Sequence, residues 1–151
     1  MVPPKPDEID TDDPPAEAAR HASARTARAS ALTEDYVEII ADLLESEGEA
    51  RPTDIARRFG VTHATAIKTI GRLKRDGLAH AKPYRGVFLT EAGLAMAHRV
   101  KARHQTVVAF LRAIGVPAEV AEVDAEGIEH HVSDATLAAF ERFIGRQGEG
   151  R

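Results

Sequence analysis

The sequence predicts a mainly α-helical fold in which a winged helix-turn-helix is followed by a second, purely helical half. Three observations predict it. Residues 52–78 carry two short helical periodicities separated by a glycine-containing turn. Residues 79–90, AHAKPYRGVFLT, read as two short strands around a Tyr84-Arg85-Gly86 turn. Everything after Thr90 repeats apolar residues at helical rather than strand spacing.

Composition narrows the class. A chain of 151 residues has room for one domain or two small ones, and 43% hydrophobic with 29% charged residues is an ordinary globular balance. With no cysteine, disulfides and thiolate metal sites are excluded, so any metal must be held by oxygen and nitrogen. No apolar run approaches the roughly 18 residues of a membrane span, and the N-terminus lacks an apolar signal core. A cytoplasmic protein without a membrane partner is expected. The net charge of −4 hides a segregation. Residues 51–85 carry nine Lys/Arg against Asp54 and Asp76, 9 − 2 = +7, while residues 117–145 carry seven Asp/Glu against Arg142, 1 − 7 = −6. One half suits a polyanion, the other cations or protein contacts.

Residues 1 to about 17 are proline-rich and acidic and read as a disordered tail, with nascent helix from Ala18. The first secure helix is expected over Thr33 to Glu47, its apolar face made by Tyr36, Ile39, Ile40, Leu43 and Leu44 and its stop by Gly48. Asp35, Glu38, Asp42 and Glu45 form an acidic stripe beside that face. Thr53 is the expected cap of a helix carrying Ile55, Ala56 and Phe59 and ending at Gly60. Thr62 caps the next, with Ala66, Ile67, Ile70 and Leu73 facing inward and His63, Thr65, Lys68, Thr69 and Arg72 facing out. Small polar and cationic side chains of that kind contact base edges and phosphates. Gly71 inside this helix costs roughly 1 kcal/mol relative to alanine. On the wing, Lys82 and Arg85 are placed to reach phosphate or the minor groove.

Thr90 caps a long helix to about Ala113, closed by Gly115, on which Val100, His104, Val107, Val108 and Leu111 share a stripe. A lone histidine on an apolar face is more often a satisfied core residue than a ligand. Pro117 opens the helix containing DAEGIEHH, residues 124–131, and Ser133 caps the last one. Leu137, Phe140, Phe143 and Ile144, with Phe110, Leu111 and Ile114, offer a surface suited to self-association. If DAEGIEHH is helical, Glu126, Glu129 and His130 stand at i, i+3 and i+4 on one face. Such a cluster suits a fairly hard divalent cation, but by itself the segment is more simply read as a solvated acidic face with an incidental histidine pair.

The order of these pieces is distinctive. EDYVEII, a winged helix ending YRGVFLTEAG, ARHQTVVAFL and DAEGIEHHVS together resemble the diphtheria-toxin-repressor-like metalloregulators, and within them the manganese-sensing branch. The likeness runs from about Leu32 to Ile144 without a gap. It implies metal ligands at Asp35, Glu38, His104, Glu126, Glu129 and His130. It implies a DNA-reading segment from Thr62 to Arg72, a wing at Lys82 to Val87, and dimer contacts on the helices after the wing. The implied cofactor is Mn²⁺, two ions per subunit, with Fe²⁺, Co²⁺ or Cd²⁺ as substitutes. The implied partners are a second copy of the chain and a palindromic double-stranded operator, with no small organic substrate. The implied role is repression of manganese-uptake genes when metal is bound.

On this reading the chain divides into a disordered or partly helical tail (1–30), a winged helix-turn-helix DNA-binding domain (31–92), an α-helical metal-binding and dimerisation domain (93–145) and a flexible end (146–151). It departs from the family pattern in its longer proline-rich N-terminus and in Gly71. It also stops after the second domain, where several iron-sensing relatives carry an SH3-like addition. The iron-sensing branch has methionine and cysteine where Asp35 and Glu126 stand here, which places an iron-responsive regulator second. A dinuclear metallohydrolase would use the same carboxylates but needs an open metal position and groups for substrate. It would also leave the +7 winged helix without a purpose, so no enzyme is expected.

Overall fold

The computed structural model describes residues 14–149; of the tail expected over residues 1 to about 17, residues 1–13 lie outside them, and residues 14–17 are the start of a helix. The elements in order are α1 (Pro14–Glu47), α2 (Pro52–Phe59), α3 (His63–Arg75), β1 (Ala79–Lys82), β2 (Gly86–Leu89), α4 (Glu91–Ala113), α5 (Ala118–Ile128) and α6 (Asp134–Glu149). The order is that of a winged helix followed by three helices. Among the described residues no helix is long and apolar enough to cross a membrane.

Helix α1 is one continuous rod that begins at Pro14, well before the expected Thr33. Between Ala16 and Glu47 there is neither glycine nor proline, and the alanine-rich first half has high helix propensity. That half is almost wholly exposed; packing starts near Leu32, and Tyr36, Val37, Ile40 and Leu43 are buried. They join Ile55 and Ala56 of α2, Ala66, Ile70 and Leu73 of α3, and Val87 of β2 in the first core. The Tyr36 ring lies 4.4 Å from that of Phe59.

Helix α2 starts one residue earlier than the expected Thr53 cap. Arg51 is its N-cap without a side-chain hydrogen bond, and Pro52 supplies the pre-set φ of the first turn. Helix α3 is capped as expected, since the Thr62 hydroxyl accepts from Thr65 N at 3.2 Å. The antiparallel wing pairs Ala79 with Leu89 and Lys82 with Gly86. Gly86 has φ +83°, and a Cβ there would stand 2.6 Å from the Ala50 carbonyl oxygen that accepts the Val87 N–H. Only glycine lets the wing return to the loop before α2. Gly93 is equally constrained: a Cβ would collide with the Leu78 carbonyl oxygen.

Helix α4 is shared by both halves. Its Ala97 belongs to the first core, while Val107 and Val108 pack with Ala121, Ala125 and Leu137 in a second. The stack of Phe110 on Phe140 (3.9 Å between centroids) and the edge contact of Phe110 with Phe143 hold α6 on α4. Leu111 and Phe140 also pack against the second core. Of the surface expected to drive self-association, Leu137 is buried, Phe110, Leu111, Phe140, Phe143 and Ile144 are half-buried, and Ile114 stays exposed at 53%. What α5 leaves outside is Val120 and, at 72% exposure, Val123.

Candidate metal centre and nucleic-acid interface

Three elements from the two halves converge on one cluster. Helix α1 contributes Glu34, Asp35 and Glu38; α4 contributes Arg103 and His104; α5 and the turn after it contribute Glu122, Glu126, Glu129 and His130. Helix α5 stops at Ile128, with Glu129 as its still-helical C-cap, so His130 stands in the turn rather than on the helix face expected for it. The turn closes with His131 N donating to Ile128 O at 3.0 Å, and this sends the His130 ring across to α1.

The donor atoms form two groups that share Glu129. In one, Asp35, Glu129 and His130 meet; in the other, His104, Glu126 and Glu129. His130 Nε2 lies 2.7 Å from Asp35 Oδ1 and 3.3 Å from Glu129 Oε1. His104 Nδ1 lies 2.6 Å from Glu129 Oε2 and 3.6 Å from Glu126 Oε1. Five of the six expected ligands thus fall into these two groups. Glu38 belongs to neither group, but it lines the same cleft of about 360 Å³ with Asp35 and Glu126.

Electrostatics sets this cluster apart from a solvated acidic face. Glu129 is fully buried, and burial pushes its carboxyl up to about 7 against the pull of His104. The Asp35 and Glu34 carboxylates against its ring raise His130 to about 10. Burial and then the charge of Glu126 raise Glu38. On His104, burial opposes a proton, but Glu122 and Glu129 outweigh it and the pKa rises. Buried Glu129 Oε1, 3.3 Å from His130 Nε2, has no hydrogen-bond partner among the described residues. Orphaned lone pairs of this kind are costly unless a cation satisfies them. With Asp35 and the His130 ring beside it, Glu129 completes a set of hard oxygen and imidazole donors that suits a divalent first-row ion.

Sequence reasoning missed Glu34, Arg103 and Glu122. Arg103 donates to both oxygens of Glu34 at 2.8 and 2.9 Å, and Glu34 Oε2 in turn accepts from His130 Nδ1 at 2.7 Å. Glu122 Oε2 accepts from His104 Nε2 at 2.8 Å. No periodicity marks these partners, because they meet only through the packing of α1, α4 and α5.

At the other end, His63, Thr65, Lys68 and Arg72 are exposed on α3, and Lys82 and Arg85 on the wing. Thr62 is exposed, but its hydroxyl is engaged in the cap. Two expectations for α3 are corrected. Thr69 is buried rather than outward, at 8% exposure, and Ile67 is exposed rather than inward, at 46%. The buried phase is Ala66, Thr69, Ile70 and Leu73, at i, i+3, i+4 and i+7. Position on the helix outranks hydrophobicity, so a threonine is taken in and an isoleucine left out. The Lys82 ammonium stands 4.9 Å over the Phe88 ring, while Tyr84 is fully exposed at the wing tip with φ 63°.

Two family models cover this architecture. Residues 29–87 match the iron dependent repressor N-terminal DNA binding domain, and residues 90–148 match the iron dependent repressor metal binding and dimerisation domain. The chain belongs to the iron-dependent repressor family. Like the other members it is a metal-dependent, DNA-binding transcriptional repressor and not an enzyme, with DNA and a second copy of the chain as partners. The transcriptional regulator MntR of Escherichia coli O6:H1 is 48% identical over 124 residues, which are 82% of this chain and 80% of that protein. The crystal structure of T. acidophilum IdeR superposes with a TM-score of 0.65 at 32% identity, covering 73% of this chain and 53% of that one. A manganese-dependent transcriptional repressor in complex with manganese superposes with a TM-score of 0.68 at 30% identity, covering 75% of this chain and 52% of that one. The chain thus spans about half the length of these solved repressors.

Proposed function

We propose that this repressor responds to manganese, binding a palindromic operator as a cytoplasmic homodimer and silencing manganese-uptake genes when Mn²⁺ is abundant. The observation that carries the reading is the pair of donor groups sharing buried Glu129, built from carboxylates and imidazoles with no sulfur. Asp35, Glu38, His104, Glu126, Glu129 and His130 would hold the metal, two ions per subunit, with Fe²⁺, Co²⁺ or Cd²⁺ as substitutes. The similarity to a manganese-dependent repressor solved with manganese supports the same choice.

The coupling follows from which half supplies each ligand. Asp35 and Glu38 belong to α1 of the DNA-binding unit, residues 31–92. The other four come from the unit formed by residues 93–145. Four carboxylates gathered here repel, each pair by about 4 kcal/mol at 4 Å for an effective dielectric near 20. Bound divalent cations supply the opposing charge and a cross-link between the halves. Alone, Asp35 and Glu38 push α1 away from Glu126 and Glu129; neutralised, they let it close. In a dimer the angle between the halves sets the spacing of two α3 helices against successive major grooves. Metal affinity and DNA affinity are then reciprocally linked. On the DNA side, Thr62, His63, Thr65, Lys68 and Arg72 of α3 and Lys82 and Arg85 of the wing carry the contacts. Exposed Ile67 adds an apolar group suited to a thymine methyl.

The test is binding to an operator selected from random duplex DNA, titrated with Mn²⁺ and Fe²⁺ in parallel. Manganese should tighten binding at least tenfold over chelator. Lys68→Ala and Arg72→Ala should weaken binding without changing metal affinity, each phosphate contact lowering the salt slope by about one. Equal affinity with and without chelator, or activation by Fe²⁺ alone, would overturn the manganese reading.

A further inference from the structure

Beyond the six candidate ligands, the His130 imidazole is gripped from both sides by consecutive residues of α1. Asp35 stands at Nε2 and Glu34 at Nδ1, each at 2.7 Å. A neutral imidazole has one N–H and one lone pair. Both carboxylates can only accept, so without an ion the ring suits two protons; once a cation takes Nε2, beside Asp35 and Glu129, the one proton left belongs on Nδ1 against Glu34. Glu34 is itself fixed, because Arg103 of α4 donates to both its oxygens at 2.8 and 2.9 Å. The three side chains are only 24% (Arg103), 16% (Glu34) and 4% (His130) exposed, so solvent screens the chain of contacts weakly.

We propose that Glu34, clamped by Arg103, is a positioning residue of the metal centre: it holds the His130 Nδ1 proton, so that Nε2 is aimed at the ion. The inference rests on the metal-site reading above. A partner for the second ring nitrogen generally fixes the tautomer and raises the basicity of a metal-bound histidine. Arg103 adds something specific. Its charge offsets that of Glu34, so the ring is oriented without a fifth uncompensated negative charge beside four carboxylates. The clamp also ties α1 to α4 and to the turn after α5 through contacts that need no ion. His104 has the corresponding partner in Glu122, but that side chain is 61% exposed and, among the described residues, pairs with no arginine. The two imidazoles are therefore not equivalent, and the Asp35–Glu129–His130 group is the one held ready.

The experiment uses the full chain. Mn²⁺ binding is followed by electron paramagnetic resonance for wild type, Glu34→Ala, Glu34→Gln and Arg103→Ala, and the ring nitrogens of His130 are observed by NMR with Cd²⁺ as a diamagnetic stand-in. Glu34→Ala should weaken one of the two Mn²⁺ sites by about 10- to 100-fold, spare the other, and lose the Nδ1–H signal. Glu34→Gln keeps an acceptor oxygen and should recover that signal and most of the affinity. Arg103→Ala should weaken the same site by a smaller factor, and it carries the test if Glu34→Ala fails to fold. Unchanged affinity and an unchanged ring signal in Glu34→Ala would overturn the proposal. So would equal losses at both sites, or Glu34→Gln as impaired as Glu34→Ala. A wild-type chain that binds no Mn²⁺ would instead overturn the metal-site reading.

Discussion

At the scale of single residues, the protons already in the site oppose the ion. His130 is raised from 6.5 to about 10 and Glu129 from 4.5 to about 7. To hold a cation the imidazole must be neutral and the carboxyl ionised, so both groups must release a proton. Below pH 7 both protons compete with the ion, joined by that of His104, which is also held above its ordinary value, and the His130 proton goes on competing up to about pH 10. Mn²⁺ affinity should therefore rise with pH, with a slope of at least about two tenfold steps per pH unit below 7 and at least about one above it. Affinities measured between pH 6 and 8 check this, and a flat profile would remove these two residues from the ligand set. In the metal-free chain, His130 contributes stability that is full below pH 6.5 and is lost as pH rises through about 10. The sign is opposite to its effect on metal binding.

At the scale of elements, the helices after the wing show how packing reassigns an apolar face. Phe110, Leu111, Phe140 and Phe143 look like an unmatched surface in sequence, but Phe110 stacks on Phe140 and meets Phe143 edge-on, and Leu111 packs against the second core. Helix α5 turns Ala121 and Ala125 inward and leaves Val120 and Val123 exposed. The dimer contact of the family is therefore expected on the outer face of α5. Val123→Asp would bury an unpaired carboxylate there and should weaken the dimer by about 100-fold or more, with monomer helicity retained. Sedimentation of wild type and variant at micromolar concentration checks this; a variant as dimeric as wild type would place the contact elsewhere.

At the scale of the whole molecule, the proposed ligands come from both halves, so on the proposed reading coordination geometry would be the variable that DNA binding reads. Mn²⁺ binds a given site more weakly than Fe²⁺, Co²⁺ or Zn²⁺, so affinity alone cannot select it. Coordination number can. Mn²⁺ accepts about six oxygen-rich positions, whereas Zn²⁺ prefers four ligands and would leave some of the six donors unused. Zn²⁺ should bind tightly yet activate poorly, leaving the halves misaligned. Asp35→Met, which puts a soft sulfur on α1, should shift activation toward Fe²⁺ or Co²⁺. Operator affinity at saturation with each metal, for wild type and variant, is the measurement. Full activation of wild type by Zn²⁺ would show that geometry does not discriminate.

The sequence by itself determined the element order, the Thr62 cap, the wing and the donor chemistry. Capping, turn formation and amphipathic periodicity act over a few residues, and the absence of cysteine restricts any metal site to oxygen and nitrogen. It also carried all six expected ligands, five of which the fold brings into two groups. Periodicity went astray where phase and hydrophobicity disagreed, as at Ile67 and Thr69. Tertiary structure alone decided the rest. That His130 stands in a turn, and that Glu34, Arg103 and Glu122 hold the imidazoles, are outcomes of packing. Glu34 and His130 lie 96 residues apart. No local rule spans that distance; only the approach of α1, α4 and α5 gives each of these side chains its partner.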